Sequence, residues 1–392
     1  MRSVVSAAAL LSAATLATLA FAASAAAGRP AGDLPNQPAT PDALSGQQWN
    51  LNQIDAFQAQ ALTGGSPLVR VALIDSGIDP TLAEFAGRID TVNSASCLTG
   101  EPVTDPTGAL WRDNLGHGTA VAGIVAAGDN GVGIVGVAPN VQLLVIKVAD
   151  SGVPITPEAA ACAFEYVARQ NVDVANASFA VDRGATGPAD PLDFFCRSDS
   201  ADAEAIEVVA SAVRDALRSG TTIVASAGNS GIDMAHPAAG EDCLRMPVQL
   251  PGVIGVSGDG RDGGLTSSSP PGPSNFGLGA IDLVAPGGDL AQGGPPPAGL
   301  ILTTLPGGAY RFVAGTSFAA AHVSGVAALI VSRFGDLRSP QNGKLAPGFV
   351  RTRLEATSER KPCPPDPRCE GGEGYNGFFG HGEVDALAAI TG

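Results

Sequence analysis

The chain is 392 residues long, with a formal net charge of −16, 45% hydrophobic and 15% charged residues, and 51 glycines. That length can bury a large core, and the apolar, sparsely charged composition argues against disorder. The acidity argues against a nucleic-acid partner, because phosphate binding needs a basic surface; it favours solubility and a draw on basic substrates.

Residues 1–27 read as an export signal. Met1-Arg2 gives a positive start, an Ala/Leu/Val-rich run extends from Val4, and Ala25 and Ala27 form a cleavage pattern before Gly28. An uncleaved membrane anchor is the rival reading, disfavoured by the small residues and the cleavage pattern. Beyond it no stretch has eighteen uninterrupted apolar residues, so the expectation is a secreted, extracellular monomer, free of the membrane once the signal is cleaved. Residues 28–46, rich in Pro, Gly, Asp and Gln, read as a short flexible pro-segment or linker, and residues 47–392 as a single domain.

Short β-branched runs at 69–75 (VRVALID), 141–148 (VQLLVIKV), 221–227 (TIVASAG) and 252–258 (GVIGVSG) have the character of buried parallel strands. Helix-length segments lie between them, starting near 118, 157 and 202. The alternation predicts a doubly wound, mainly parallel α/β sheet with helices on both faces. Residues 261–311 read as loop and short strand. Six cysteines in an exported chain suit disulfides, with fifteen pairings open. Cys363 with Cys369, around a five-residue loop, is the favoured pair, and Cys196 with Cys243 the second choice. A zinc site is disfavoured by the absence of a C-x₂-C pair.

Chemistry concentrates in glycine-flanked segments. Asp75 ends a strand, where sites form in open α/β sheets. His117 sits between two glycines before a small-residue helix. Ser317 precedes the apolar run FAAAHVSGVAALI, which places its hydroxyl at a helix N-terminus. A serine hydroxyl needs an imidazole to take its proton, and the imidazole needs a carboxylate to fix its tautomer. Asn229, closing another strand, offers an amide beside the Ser317 N–H for an oxyanion. Each residue alone has an ordinary reading: a turn aspartate, a loop histidine, a helix cap, a turn asparagine. The joint reading is an acyl-transfer site. His322 reads as a packed helix residue, and His236 and His381 as loop residues.

VALIDSGID, HGTAVAG, SAGNSG and GTSFAAAHVSG, in that order, resemble the aspartate, histidine, oxyanion and serine segments of subtilisin-like serine proteases, the subtilases of peptidase family S8. QQWNLNQIDAFQA, GIVGVAPNVQLLVIKV, DLVAPGG and GHGEVDALAAI extend the resemblance over nearly the whole chain. It implies a subtilisin-like three-layer sandwich and a secreted serine endopeptidase in which Asp75, His117 and Ser317 form the triad and Asn229 helps hold the oxyanion. It also implies an extended protein or peptide substrate lying between segments near Ser178–Ala180 and Ser226–Gly228. Ala227 and Gly228 would border an open, apolar pocket for the side chain before the cut bond. No cofactor is implied for the chemistry. Family members often bind structural calcium, but no ligand set can be mapped here.

Three positions depart from the common pattern: Ala120 replaces a second histidine, Ala321 a proline, and Ala180 a glycine of the substrate strand. A folded pro-region is also common in the family. Roughly twenty residues separate Ala27 from the mature-like start, too few for a domain, so folding without one is the expectation. Two rival readings fit the chain less well. A lipase or esterase would show a G-x-S-x-G elbow and Ser–Asp–His order, and neither is present. A non-catalytic binding protein on a protease scaffold would be expected to lack a triad member.

Overall fold

The computed structural model describes residues 42–183, 194–269, 272–294, 297–339 and 344–392. The 1–27 export segment and residues 28–41 of the lead-in lie outside the described residues. In the rest of the lead-in Asp42 is buried, and the Leu44 N–H donates to the Gly133 carbonyl at 2.7 Å.

In chain order the strands are β1 (Arg70–Asp75), β2 (Ala95–Ser96), β3 (Val103–Thr104), β4 (Gln142–Lys147), β5 (Val174–Ala177) and β6 (Phe195–Cys196). They continue with β7 (Thr222–Ser226), β8 (Cys243–Leu244), β9 (Ile254–Asp259), β10 (Leu283–Pro286), β11 (Ile301–Leu305) and β12 (Ala309–Val313). The helices include α1 (Trp49–Gln53), α2 (Ala56–Gln60), α3 (His117–Ala126), α4 (Pro157–Arg169), α5 (Ser200–Arg218), α6 (Thr316–Phe334) and α7 (Pro347–Thr357).

Eight strands form the main sheet in the order β10-β9-β7-β5-β1-β4-β2-β3. Every neighbouring pair is parallel except β2 with β3, as the sequence pattern predicts. The period-two alternation of a strand sends its side chains to two cores. Val71 and Leu73 of β1 join the core that holds α3 and α6, while Ala72 and Ile74 join the core that holds α4 and α5. Burial on both faces is why β1 reads as an unbroken apolar run. Helices α4 and α5 each show one apolar stripe, and their N-termini are capped by Thr156 and Asp199. Helix α6 is apolar all round because the protein surrounds it. It is long enough to cross a membrane, but 83% of its most apolar window is buried inside the fold.

The chain extends from β1 toward β4 on one side and through β5, β7 and β9 on the other, so strand order reverses beside β1. Crevices at such a switch point, outside the carboxyl ends of the strands, are where open α/β sheets place their sites. Asp75 ends β1, Ser178 follows β5, and Ala227–Asn229 follow β7. The cysteines pair as Cys97–Cys162, Cys196–Cys243 and Cys363–Cys369. Cys196 and Cys243 are also cross-strand partners in the β6–β8 ladder.

Candidate active site

Asp75 is carried on the last position of β1 and is buried. Its Oδ1 accepts the Ser76 N–H at 2.7 Å and faces His117 Nδ1, also at 2.7 Å. That contact assigns the Nδ1 proton to the carboxylate side and leaves Nε2 without a proton. His117 opens α3, and Gly118 lets this helix end approach β1: a Cβ there would stand 2.1 Å from the Gly77 carbonyl oxygen. Burial pulls the His117 pKa down, while the Asp75 charge, the Asp75 hydrogen bond and the Asp113 charge push it up; the net shift is upward from 6.5. The His117 ring also packs on Phe318, with centroids 5.9 Å apart.

Ser317 is the second residue of α6, in the turn whose N–H groups have no partner inside the helix. Its Oγ donates to the Ser178 carbonyl at 3.3 Å. Ser178 Oγ in turn donates to the Ser317 carbonyl at 2.9 Å and accepts from Asn176 Nδ2 at 2.8 Å. Ser178 therefore ties the end of β5 to the first turn of α6. Asn229 Oδ1 accepts the Thr316 N–H at 2.8 Å. This bond fixes the amide, so that Nδ2 and the Ser317 N–H remain as donors beside the serine. Two cavities meet here, of about 420 and 320 Å³, and both are lined by Asn229 and Ser317.

The residues expected on the substrate side fall around the smaller cavity, which Ser178, Ala180, Ala227 and Gly228 all line. Gly228 has φ +98°, and a Cβ there would stand 2.6 Å from Asn275 Nδ2. Asn275 holds the turn, donating from Nδ2 to the Ala227 carbonyl and from its N–H to the Gly228 carbonyl, both at 2.9 Å. The backbone groups of Phe179 and Ala180 make no hydrogen bond among the described residues, so this segment is an open edge. The expectation of an apolar pocket does not hold, because Ser226, Ser230 and Arg245 also line it.

Sequence reasoning missed Asp113 and Asn275. Asp113 lies four residues before His117, and its only signal was an acid in a glycine-flanked loop. His322 is a core residue: Nδ1 donates to the Phe318 carbonyl, Nε2 accepts from Asn50, and burial lowers its pKa to about 4. Among the described residues no group of three or more His, Cys, Asp or Glu is placed to hold a metal ion.

A switch-point crevice holding a carboxylate–imidazole pair and a helix-terminal serine is the arrangement of a serine peptidase on an α/β sheet. The model of the Subtilase family, Peptidase_S8, matches residues 67–382, so the chain belongs to that family and is a serine-type endopeptidase. Among its relatives, subtilisin DY of Bacillus licheniformis is 31% identical over 309 residues, covering 79% of this chain and 89% of that protein. Subtilisin E of Bacillus subtilis (strain 168) is 31% identical over 312 residues, covering 79% of this chain and 65% of that protein. The crystal structure of a lanthipeptide protease shares the fold, with a TM-score of 0.69 at 24% identity over 87% of this chain and 93% of that one.

Proposed function

We propose that the chain is a secreted endopeptidase that cuts peptide bonds through a Ser317–His117–Asp75 triad and an acyl-enzyme intermediate. The observation that carries this reading is the 2.7 Å contact between His117 Nδ1 and Asp75, with His117 lining a cavity that Ser317 and Asn229 also line. The peptide lies extended against the open edge at Phe179–Ala180. His117 Nε2 takes the Ser317 Oγ proton as the oxygen attacks the carbonyl carbon, and Asp75 steadies the resulting imidazolium. The Asn229 amide and the Ser317 N–H hold the oxyanion, and the positive end of α6 adds to their effect. His117 then gives the proton to the leaving amine, and water enters by the same route in reverse. Nucleophile, base and oxyanion donors are all side-chain or backbone groups, so no step is routed through a metal or cofactor. Secretion is supported by the signal-like start and by three disulfides, which persist in oxidising compartments.

The test is labelling of the purified chain by a fluorophosphonate, read by intact mass and peptide mapping. One adduct on Ser317, absent from Ser317→Ala, is the expected result. A folded protein that takes no label would contradict the proposal.

A further inference from the structure

The two cavities that meet at Ser317 and Asn229 divide the proposed peptide at its cut bond. The open edge at Phe179–Ala180 borders the smaller one, so the acyl segment lies there. His117 lines the larger, of about 420 Å³. In acyl transfer the imidazole returns its proton to the leaving amine, which puts this cavity on the leaving side. The side chain of the first residue after the cut falls into it.

The walls of this cavity are largely apolar and come from three parts of the chain. Leu115 stands just before α3, Leu305 and Phe312 belong to the β11–β12 hairpin, and Phe318 follows the serine in α6. Leu115 is 49% exposed, a large apolar side chain left in solvent two residues before His117. The hairpin is pinned in place. Thr303 Oγ1 and Thr304 Oγ1 donate to the Ala120 and Thr119 carbonyls of α3 at 2.6 and 2.8 Å. At the hairpin turn, the Gly307 N–H donates to Asp79 Oδ2 at 2.9 Å. The wall therefore stands before a substrate arrives, and little ordering cost falls on binding. Arg311 of β12 also lines the cavity and is exposed. Among the described residues its side chain enters no hydrogen bond, ion pair or ring contact.

We propose that this cavity seats the side chain that follows the cut bond and selects a large apolar one, leucine or phenylalanine, with Arg311 ranking the charged alternatives. This inference rests on the protease reading above. Magnitudes set the order of the two effects. Covering a leucine with these walls is worth roughly 10–50-fold over alanine, short of full burial because the cavity is open to solvent. An exposed ion pair is worth only roughly 1.5–5-fold, so glutamate gains less from Arg311 than leucine gains from the walls. Arg311 still separates glutamate from lysine, whose ammonium meets a like charge. The chain's net charge of −16 draws lysine at long range, but that field is screened over about 8 Å at physiological salt.

The test reads the leaving side alone. The full chain is acylated by one ester substrate, and the amides of Leu, Phe, Ala, Glu and Lys compete with water for the acyl-enzyme at physiological salt. The amine nitrogen attacks the acyl carbonyl, His117 takes its proton, and Ser317 Oγ leaves with that proton, so aminolysis retraces acylation in reverse. We expect Leu and Phe amides to give aminolysis-to-hydrolysis ratios roughly 10–50-fold above Ala amide, and Glu amide roughly 1.5–5-fold above Lys amide. Leu115→Asn should lower the Leu-to-Ala ratio, and Arg311→Glu should reverse the Glu-to-Lys order without moving the Leu-to-Ala ratio. An acyl-enzyme that takes Ala, Glu or Lys amide as readily as Leu amide would overturn the cavity assignment and leave the protease reading intact. An unmoved ratio in Leu115→Asn, or an unmoved order in Arg311→Glu, would overturn the part given to that residue. A folded chain that forms no acyl-enzyme and takes no fluorophosphonate label would overturn the protease reading, and this inference with it. If either variant fails to fold, the wild-type ranking still decides the cavity assignment.

Discussion

Asp113 accepts hydrogen bonds from Ser76 Oγ, the Leu115 and Gly116 N–H groups, and both the N–H and Oγ1 of Thr119. Through Ser76, whose Oγ also accepts the Gly118 N–H at 2.9 Å, this carboxylate holds the loop that carries His117 against the end of β1. It is a positioning residue, and its charge also raises the His117 pKa. In the proposed mechanism the His117 imidazole acts as base only when neutral. Activity is therefore lost as pH falls through a midpoint above 6.5, the ordinary imidazole value. Asp113→Asn removes one raising charge and sets an amide donor against N–H groups that need acceptors. The expected result is a kcat/KM lowered roughly 10–100-fold, the cost of a misplaced catalytic group, with the acid limb moved to lower pH. Profiles of kcat/KM from pH 5 to 9 check both effects, and an unmoved midpoint would deny the electrostatic role. That Asp75, His117, Ser317 and Asn229 come together was legible, because each sits in a short glycine-marked segment whose local chemistry is distinctive. Asp113 and Asn275 were not. Their meaning comes from partners brought in by folding, such as Ser76, 37 residues from Asp113, and Ala227, 48 residues from Asn275.

At the scale of elements, α6 shows how close packing, rather than helix propensity, sets which residue a site tolerates. Gly325 faces Val137, and a Cβ added there would stand 2.5 Å from the valine Cβ. Alanine would gain about 1 kcal/mol of helix propensity, while overpacking a filled core costs about 1–3 kcal/mol. Since Val137 is fully buried, the packing term should win, and Gly325→Ala is expected to lower Tm. Gly348, near the start of α7, has nothing within 4 Å of its added Cβ. Gly348→Ala is therefore expected to raise stability by about 0.4–1 kcal/mol. Thermal melts of the two variants check the opposite signs, and a shared rise would show that propensity alone governs both sites. The apolar run of α6 was legible as a helix, and so were the long strands of the sheet. The two-residue strands β2, β3, β6 and β8 were not, because so short a segment has no periodicity and is defined only by its partner.

Across the whole molecule, distant parts of the chain are joined by one buried polar cluster. Lys361 Nζ pairs with Asp259 at the end of β9 and with Glu383 near the C-terminus, the latter at 2.8 Å, while Gln53 of α1 also bonds Glu383. Two carboxylates face one ammonium, and burial opposes ionising both. Burial raises the Glu383 pKa from 4.5 to about 7, with the Asp259 charge adding to the effect and Lys361 opposing it. Because the folded value is raised, the stability this carboxyl contributes is fully present below pH 4.5. It is lost as pH rises through about 7, since the folded state must then hold a charge that the unfolded chain carries at little cost. Glu383→Gln removes that titration and nearly preserves the shape. Relative to wild type, its Tm should therefore improve steadily from pH 4.5 to 8, whatever the other carboxylates contribute to both proteins. Melts of the pair across that range measure the difference directly. A flat difference would mean that Glu383 stays ionised beside Lys361 throughout, and a falling one that the ion pair, not the shared proton, holds these elements together.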